Sequence, residues 1–152
     1  MSLAENINQD FLIAFKGKQD TVVSTLRMLK ASLTNKEIEK KLPKGENLSD
    51  EDIVSVIKSE IKKRKDSSLS YSQASRSDLS EKEDKEAAIL EKYLPQQMSD
   101  DQVKDIVVKI IKDTGASSPT DFGKVMGAVM AQTKNQADGQ MVSKIVKEEL
   151  AK

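Results

Sequence analysis

Apolar residues recur along this chain at three- and four-residue intervals, and no stretch shows the alternation of period two that marks a strand. Leu3, Ile7, Phe11 and Ala14 set a first helix, opened by Ser2 and Glu5 as a capping box and fading near Gly17. Asp20 is the next N-cap candidate. From it Val22, Leu26, Leu29, Leu33 and Ile38 carry a second stripe, which stops before Leu42-Pro43 because a residue preceding proline avoids the helical region. Ser49 opens a third helix with Asp50, Glu51 and Asp52 in its first turn, where the dipole favours acids. Ile53, Ile57 and Ile61 form its buried row. The Ser-rich stretch 67–80 places a turn near Ser75-Arg76-Ser77, and a fourth helix then runs from about Asp78 to Tyr93, ending at Leu94-Pro95.

Pro95-Gln96-Gln97-Met98 reads as a short hinge. After it Ser99 and Gln102 make a second capping box, and Val103, Ile106, Val107, Ile110 and Ile111 give the cleanest amphipathic pattern of the chain. Gly115 closes that helix as a left-handed cap, and Ser118-Pro119 starts the next with Ser as N-cap and Pro at the first helical position. The sixth helix carries Phe122, Val125, Met126, Val129 and Met130 on one face, with Gly123, Gly127 and Ala131 on its edge. A turn at Lys134–Gly139 leads into Val142, Ile145, Val146 and Leu150, a seventh helix. The expected architecture is all-α: an N-terminal four-helix unit over 1–95 and a C-terminal three-helix unit over 96–152.

Composition narrows the function classes. The chain of 152 residues has no Cys and no His, which removes disulfides, thiolate chemistry and the commonest general base and metal ligand. The carboxylates of the third and fifth helix starts are explained by the dipole, and no metal site or cofactor is expected from them. Met126, Met130 and Met141 read as core fillers. Catalytic residues are therefore not expected. Basic and acidic residues balance at 25 each, and both halves are individually neutral, so any polyanion contact has to be local. No apolar run approaches the roughly 20 residues of a membrane span, and a soluble, cytoplasmic protein is expected.

Several pieces, taken in order, resemble the GatB/YqeY family. They are Leu26-Arg27-Met28-Leu29-Lys30 with Asn35, Lys63-Arg64-Lys65-Asp66-Ser67, Arg76 before Asp78-Leu79, Glu91-Lys92-Tyr93-Leu94-Pro95, Asp121-Phe122-Gly123-Lys124-Val125-Met126-Gly127 and Ala137-Asp138-Gly139. The chain is similar in size to the stand-alone YqeY-like members. The resemblance implies a helical module like the tail of the tRNA amidotransferase B subunit, which contacts tRNA while a separate core does the chemistry. A carbon–nitrogen ligase label, with glutamine as donor, would be inherited from that complex. Three positions depart from the family pattern: Asn135 and Ser75 stand where Gly is common, and Gln136 where a basic residue is common. A looser turn is expected at Ser75, a tolerated left-handed residue at Asn135 and a weaker phosphate contact at Gln136.

Each candidate surface has two readings. Lys62, Lys63, Arg64 and Lys65, with Lys58, are either a phosphate-binding face or a solvated helix face paired with neighbouring acids. Arg27, Lys30 and Asn35 either form a polar contact surface or tie helices together through Glu39, Glu86 or Glu91. Ser118 at a helix N-terminus, with Lys124 and Lys134, is the best local case for an RNA site, although the same Ser118-Pro119 is an ordinary helix start. Gly123 and Gly127 are expected to permit a close helix crossing inside the C-terminal unit, so Gly127→Leu should lower stability, and Lys124 should face away from the apolar stripe. The functional expectation is a non-catalytic tRNA-associated module. The alternative is an adaptor whose Gly-lined helix docks a protein partner of translation or aminoacyl-tRNA metabolism.

Overall fold

The computed structural model describes residues 1–134 and 136–152, and among them there are seven α-helices, one short 3₁₀ turn and no strand. Contacts group the helices into Met1–Leu94 and Pro95–Lys152. The first unit holds α1 (Leu3–Lys16), α2 (Asp20–Glu39), α3 (Asp50–Gln73) and α4 (Ser77–Glu91). The second holds α5 (Asp100–Thr114), α6 (Phe122–Thr133) and α7 (Gly139–Leu150). None of the described helices is long and apolar enough to cross a membrane.

In the first unit the helical stripes meet in one core. Ile7 of α1, Leu26 and Leu29 of α2, Ile53, Ile57 and Ile61 of α3, and Ala87 and Leu90 of α4 are buried together with Leu48. α3 and α4 share the most extensive helix contact, and Ser68 meets Ser80 across it at 2.8 Å. Tyr93 donates to Asp10 at 2.6 Å, which ties the end of this unit back to α1. The second unit buries Val103, Val107 and Ile110 of α5 against Val125 and Val129 of α6 and Val142, Ile145, Val146 and Leu150 of α7.

Helix starts follow local chemistry. Both expected capping boxes form: Ser2 Oγ accepts from Glu5 N at 3.2 Å, and Ser99 Oγ accepts from Gln102 N at 3.2 Å. Ser49 Oγ accepts from Asp52 N at 3.1 Å. At α2 the cap is Gln19, without a side-chain bond, and Asp20 is the first helical residue.

Helix ends fall near the expected positions, but the closures of α1, α2 and α3 were not anticipated. α2 stops at Glu39, and Ile38, read as part of its apolar stripe, is 69% exposed. α1, α2 and α3 close with the chain's next amides bonding back five residues, Gln19 N to Ala14 O at 2.9 Å, Leu42 N to Glu37 O at 3.1 Å and Arg76 N to Tyr71 O at 2.8 Å. The left-handed residues of these closures are Lys18, Lys41 and Ser75, with φ of 53°, 55° and 59°. The turn at Ser75 is thus tight rather than loose. Gly115 takes φ 69° after α5, as expected.

The stretch 95–98 is not wholly a hinge. Met98 packs against the second core, and its amide donates to Gln136 O at 2.7 Å. Asn135, read as a left-handed turn residue, lies outside the described residues.

Candidate functional site

The basic run of α3 does not present one face. Successive helical residues are turned by about 100°, so Lys62, Lys63, Arg64 and Lys65 point in four directions. Arg64 continues the buried row of Ile57 and Ile61, and its side chain is only 5% exposed. Its guanidinium sits between two carboxylates, with Nη1 at 2.9 Å from Glu60 Oε2 and Nε at 3.3 Å from Glu86 Oε2. Nε meets Glu86 at an angle too poor for a hydrogen bond, and Nη2 rests 3.8 Å from Met28 Sδ. Arg64 is therefore not an RNA candidate: it is a structural cation holding two buried acids. Lys63 pairs with Glu60 at 3.3 Å and Lys65 with Glu91 at 2.9 Å, both exposed. Lys62 is exposed and makes no ion pair among the described residues.

Glu60 gathers the donors here. Burial pushes its carboxyl up, but hydrogen bonds from Arg64, Ser32 and Lys63 outweigh that and hold it below the ordinary range. Ser32 Oγ donates to it at 3.0 Å, so α2, α3 and α4 all touch one charged cluster. A polar cleft of about 340 Å³ lies beside it, lined by Ser32, Asn35, Lys36, Glu39, Ser59 and Glu60 among others.

Arg27 and Lys30 take neither proposed set of carboxylate partners. Glu39 pairs with Lys36, Glu86 with Arg64 and Glu91 with Lys65. The two cations instead lie over the Phe11 ring, the Arg27 guanidinium carbon at 5.9 Å and the Lys30 ammonium at 4.6 Å from its centroid. Phe11 in turn stacks on Phe15 at 6.3 Å. Asn35 is exposed at the rim of the cleft, away from that ring system in its contacts. The aromatic pair was missed from sequence, although two Phe four residues apart in a helix signal a shared face.

In the second unit the expected phosphate seat lies beside a carboxylate. Ser118 caps only a 3₁₀ turn, Pro119–Asp121, and its hydroxyl meets that of Thr120 at 2.6 Å. α6 begins one residue later behind Asp121, whose Oδ2 accepts from Ser117 N at 3.1 Å. A carboxylate at the positive end of α6 opposes a second anion there.

The glycine edge of α6 is also not where a crossing helix sits. A Cβ placed on Gly123 or on Gly127 would meet nothing within 4 Å. Val125 and Val129 do the packing, and both glycines, with Lys124 and Ala131, are exposed. Lys124 thus stands on the open side, as expected. Lys134 ends the helix at φ 41°, roughly 15 Å along the axis from Lys124. These two lysines flank the open edge rather than converging on one point, and neither makes an ion pair among the described residues.

These features define an all-helical protein of two separately cored units, with its charged chemistry on outer faces and its buried ions satisfying one another. The chain belongs to the YqeY-like protein family, whose model matches residues 4–150. A comparison with curated proteins gives no match.

Proposed function

We propose that this chain is a non-catalytic module that associates with tRNA, using the exposed edge of α6. One observation carries the reading: Gly123 and Gly127 face open space. Gly127, in the interior of α6, weakens the helix by about 1 kcal/mol relative to Ala, and no internal packing offsets that here. A helix edge without side chains lets another molecule's backbone come close, and Lys124 and Lys134 at its two ends supply charge for phosphates. Family membership supports the same reading, with the amidotransferase tail as the analogue. The ligase activity of that complex is not part of the proposal, because this chain offers no His, no Cys and no converging catalytic groups among the described residues.

The test is a titration with bulk tRNA at low and moderate salt. Wild type should bind with a steep salt dependence; Gly127→Leu and Lys124→Gln should bind at least several-fold more weakly while melting normally. Unchanged tRNA affinity in both variants would remove the α6 edge from the proposal. A stoichiometric protein partner captured without RNA at matched salt, and lost in Gly127→Leu, would instead favour the adaptor reading, in which the bare edge receives a partner helix.

A further inference from the structure

The α1–α2 hairpin is neutral as a whole, with five basic and five acidic residues over 3–39, but its positive charge gathers at the turn end. Residues 11–30 contain four basic side chains and one acidic one, in a chain whose net charge is zero. Lys16, Lys18, Arg27 and Lys30 make no ion pair among the described residues, whereas Lys63, Arg64 and Lys65 of α3 pair with Glu60, Glu86 and Glu91. On the same hairpin Phe15 is 59% exposed, and Leu12, one turn earlier, is 56% exposed. Phe15 leans on Phe11 with the ring planes 29° apart, and Phe11 is the ring that Arg27 and Lys30 cover.

An exposed aromatic ring stacked on a second ring that two cations cover fits one ligand chemistry well. An unpaired nucleobase offers a flat π face to the ring and carries phosphates to the cations in the same residue. A second copy of this chain would satisfy the apolar surface but bring four cations against four, which disfavours self-association through this face. A neutral apolar helix would leave the cations without counter-charge. We propose that Phe15 is a stacking platform for an unpaired RNA base, with the exposed Arg27 guanidinium as a second flat surface and Lys16 and Lys18 neutralising the flanking phosphates. This rests on the RNA-associated reading but uses a different unit and different residues from α6.

The chain contains no Trp, so Phe15→Trp in the full-length protein gives a unique fluorescent reporter at the platform. The probes are a single-stranded 12-mer oligouridylate, a fully paired RNA duplex of equal length, and bulk tRNA. The single strand should quench the introduced tryptophan, and the duplex should quench it far less. In the otherwise wild-type protein, Phe15→Ala should weaken binding of the single strand about tenfold with an unchanged melting curve, because the ring is outside the core. Lys16→Gln with Lys18→Gln should flatten the salt dependence by about one to two phosphate contacts.

If tRNA binds but Phe15→Ala binds it and the single strand equally well and no quenching occurs, the platform is overturned while the α6 reading stands. If Phe15→Ala weakens binding and Gly127→Leu does not, the platform stands and the α6 edge is lost. Binding of neither RNA by wild type overturns both. A wild-type dimer that Phe15→Ala dissociates would also overturn the platform and assign this face to self-association.

Discussion

At Gly127 the helix gives up stability with no contact inside its own unit to explain it. Gly127→Ala should therefore raise the melting temperature, by about 1 kcal/mol of stability, and Gly127→Leu should not lower it; a clear loss in thermal melts would restore an internal packing role. The left-handed residues that close α1, α2 and α3 point the same way. A side chain at positive φ is strained by about 1 kcal/mol, so Ser75→Gly should stabilise the first unit by roughly that amount, measured by urea unfolding. The glycine pattern was legible in the sequence, but its meaning was not. Periodicity places Gly123 and Gly127 beside the apolar stripe without saying how wide the buried sector is, and the sector centred on Val125 and Val129 leaves both glycines outside. Arg64 was misread for the opposite reason. Its place in the row Ile57, Ile61, Arg64, Ser68 marks an inward position, but four consecutive cations read as one exposed patch.

On the scale of whole elements, Arg64 matters because it joins α3 to α4 between two acids and, through Glu60 and Ser32, reaches α2. Removing it leaves buried Glu86 without its ion pair and Glu60 with only the exposed Lys63, so Arg64→Ala should cost about 3–5 kcal/mol, and chemical denaturation of the full chain will show it. The same cluster makes the first unit sensitive to acid. A carboxylate held below its ordinary value of 4.5 contributes stability that is present above that value and disappears as pH falls through its lower folded value. Glu60→Gln should be less stable at neutral pH and lose less on going from pH 5 to pH 3 than wild type does; parallel curves for the two proteins would exclude a role for Glu60 in acid lability. Helix starts were legible because capping is local: Ser2 with Glu5 and Ser99 with Gln102 announce themselves within four residues. The ends of α1 near Gly17 and of α2 before Leu42-Pro43 were legible too, but their left-handed closure by Lys18 and Lys41 was not, since lysine has no preference for positive φ. The 3₁₀ turn ahead of α6 was hidden likewise, because Ser118-Pro119 starts either kind of helix.

Across the molecule, the division into four and three helices was readable from stripe periodicity and from the proline at 95, because each stripe requires a neighbour to bury it. The candidate surfaces were readable only as composition, since which cations meet carboxylates depends on helix rotation and on partners tens of residues away. Those distances along the chain have a further consequence, for the order in which the units form. The first unit is closed by Tyr93 reaching Asp10, a separation of 83 residues, and by Leu3 N donating to Asp50 at 3.2 Å across 47. The second unit is contained within 95–152. Chains whose contacts span shorter loops reach their transition state sooner. Refolding from denaturant should thus show two phases, with the faster one slowed or speeded by substitutions on α5–α7 and the slower one by substitutions on α1–α4; a single phase responding to both sets would mean the units fold as one. During synthesis the first unit emerges before the second: α1 can pack on α2 and α3 as they appear, but its Asp10 tie waits for Tyr93 to leave the ribosome.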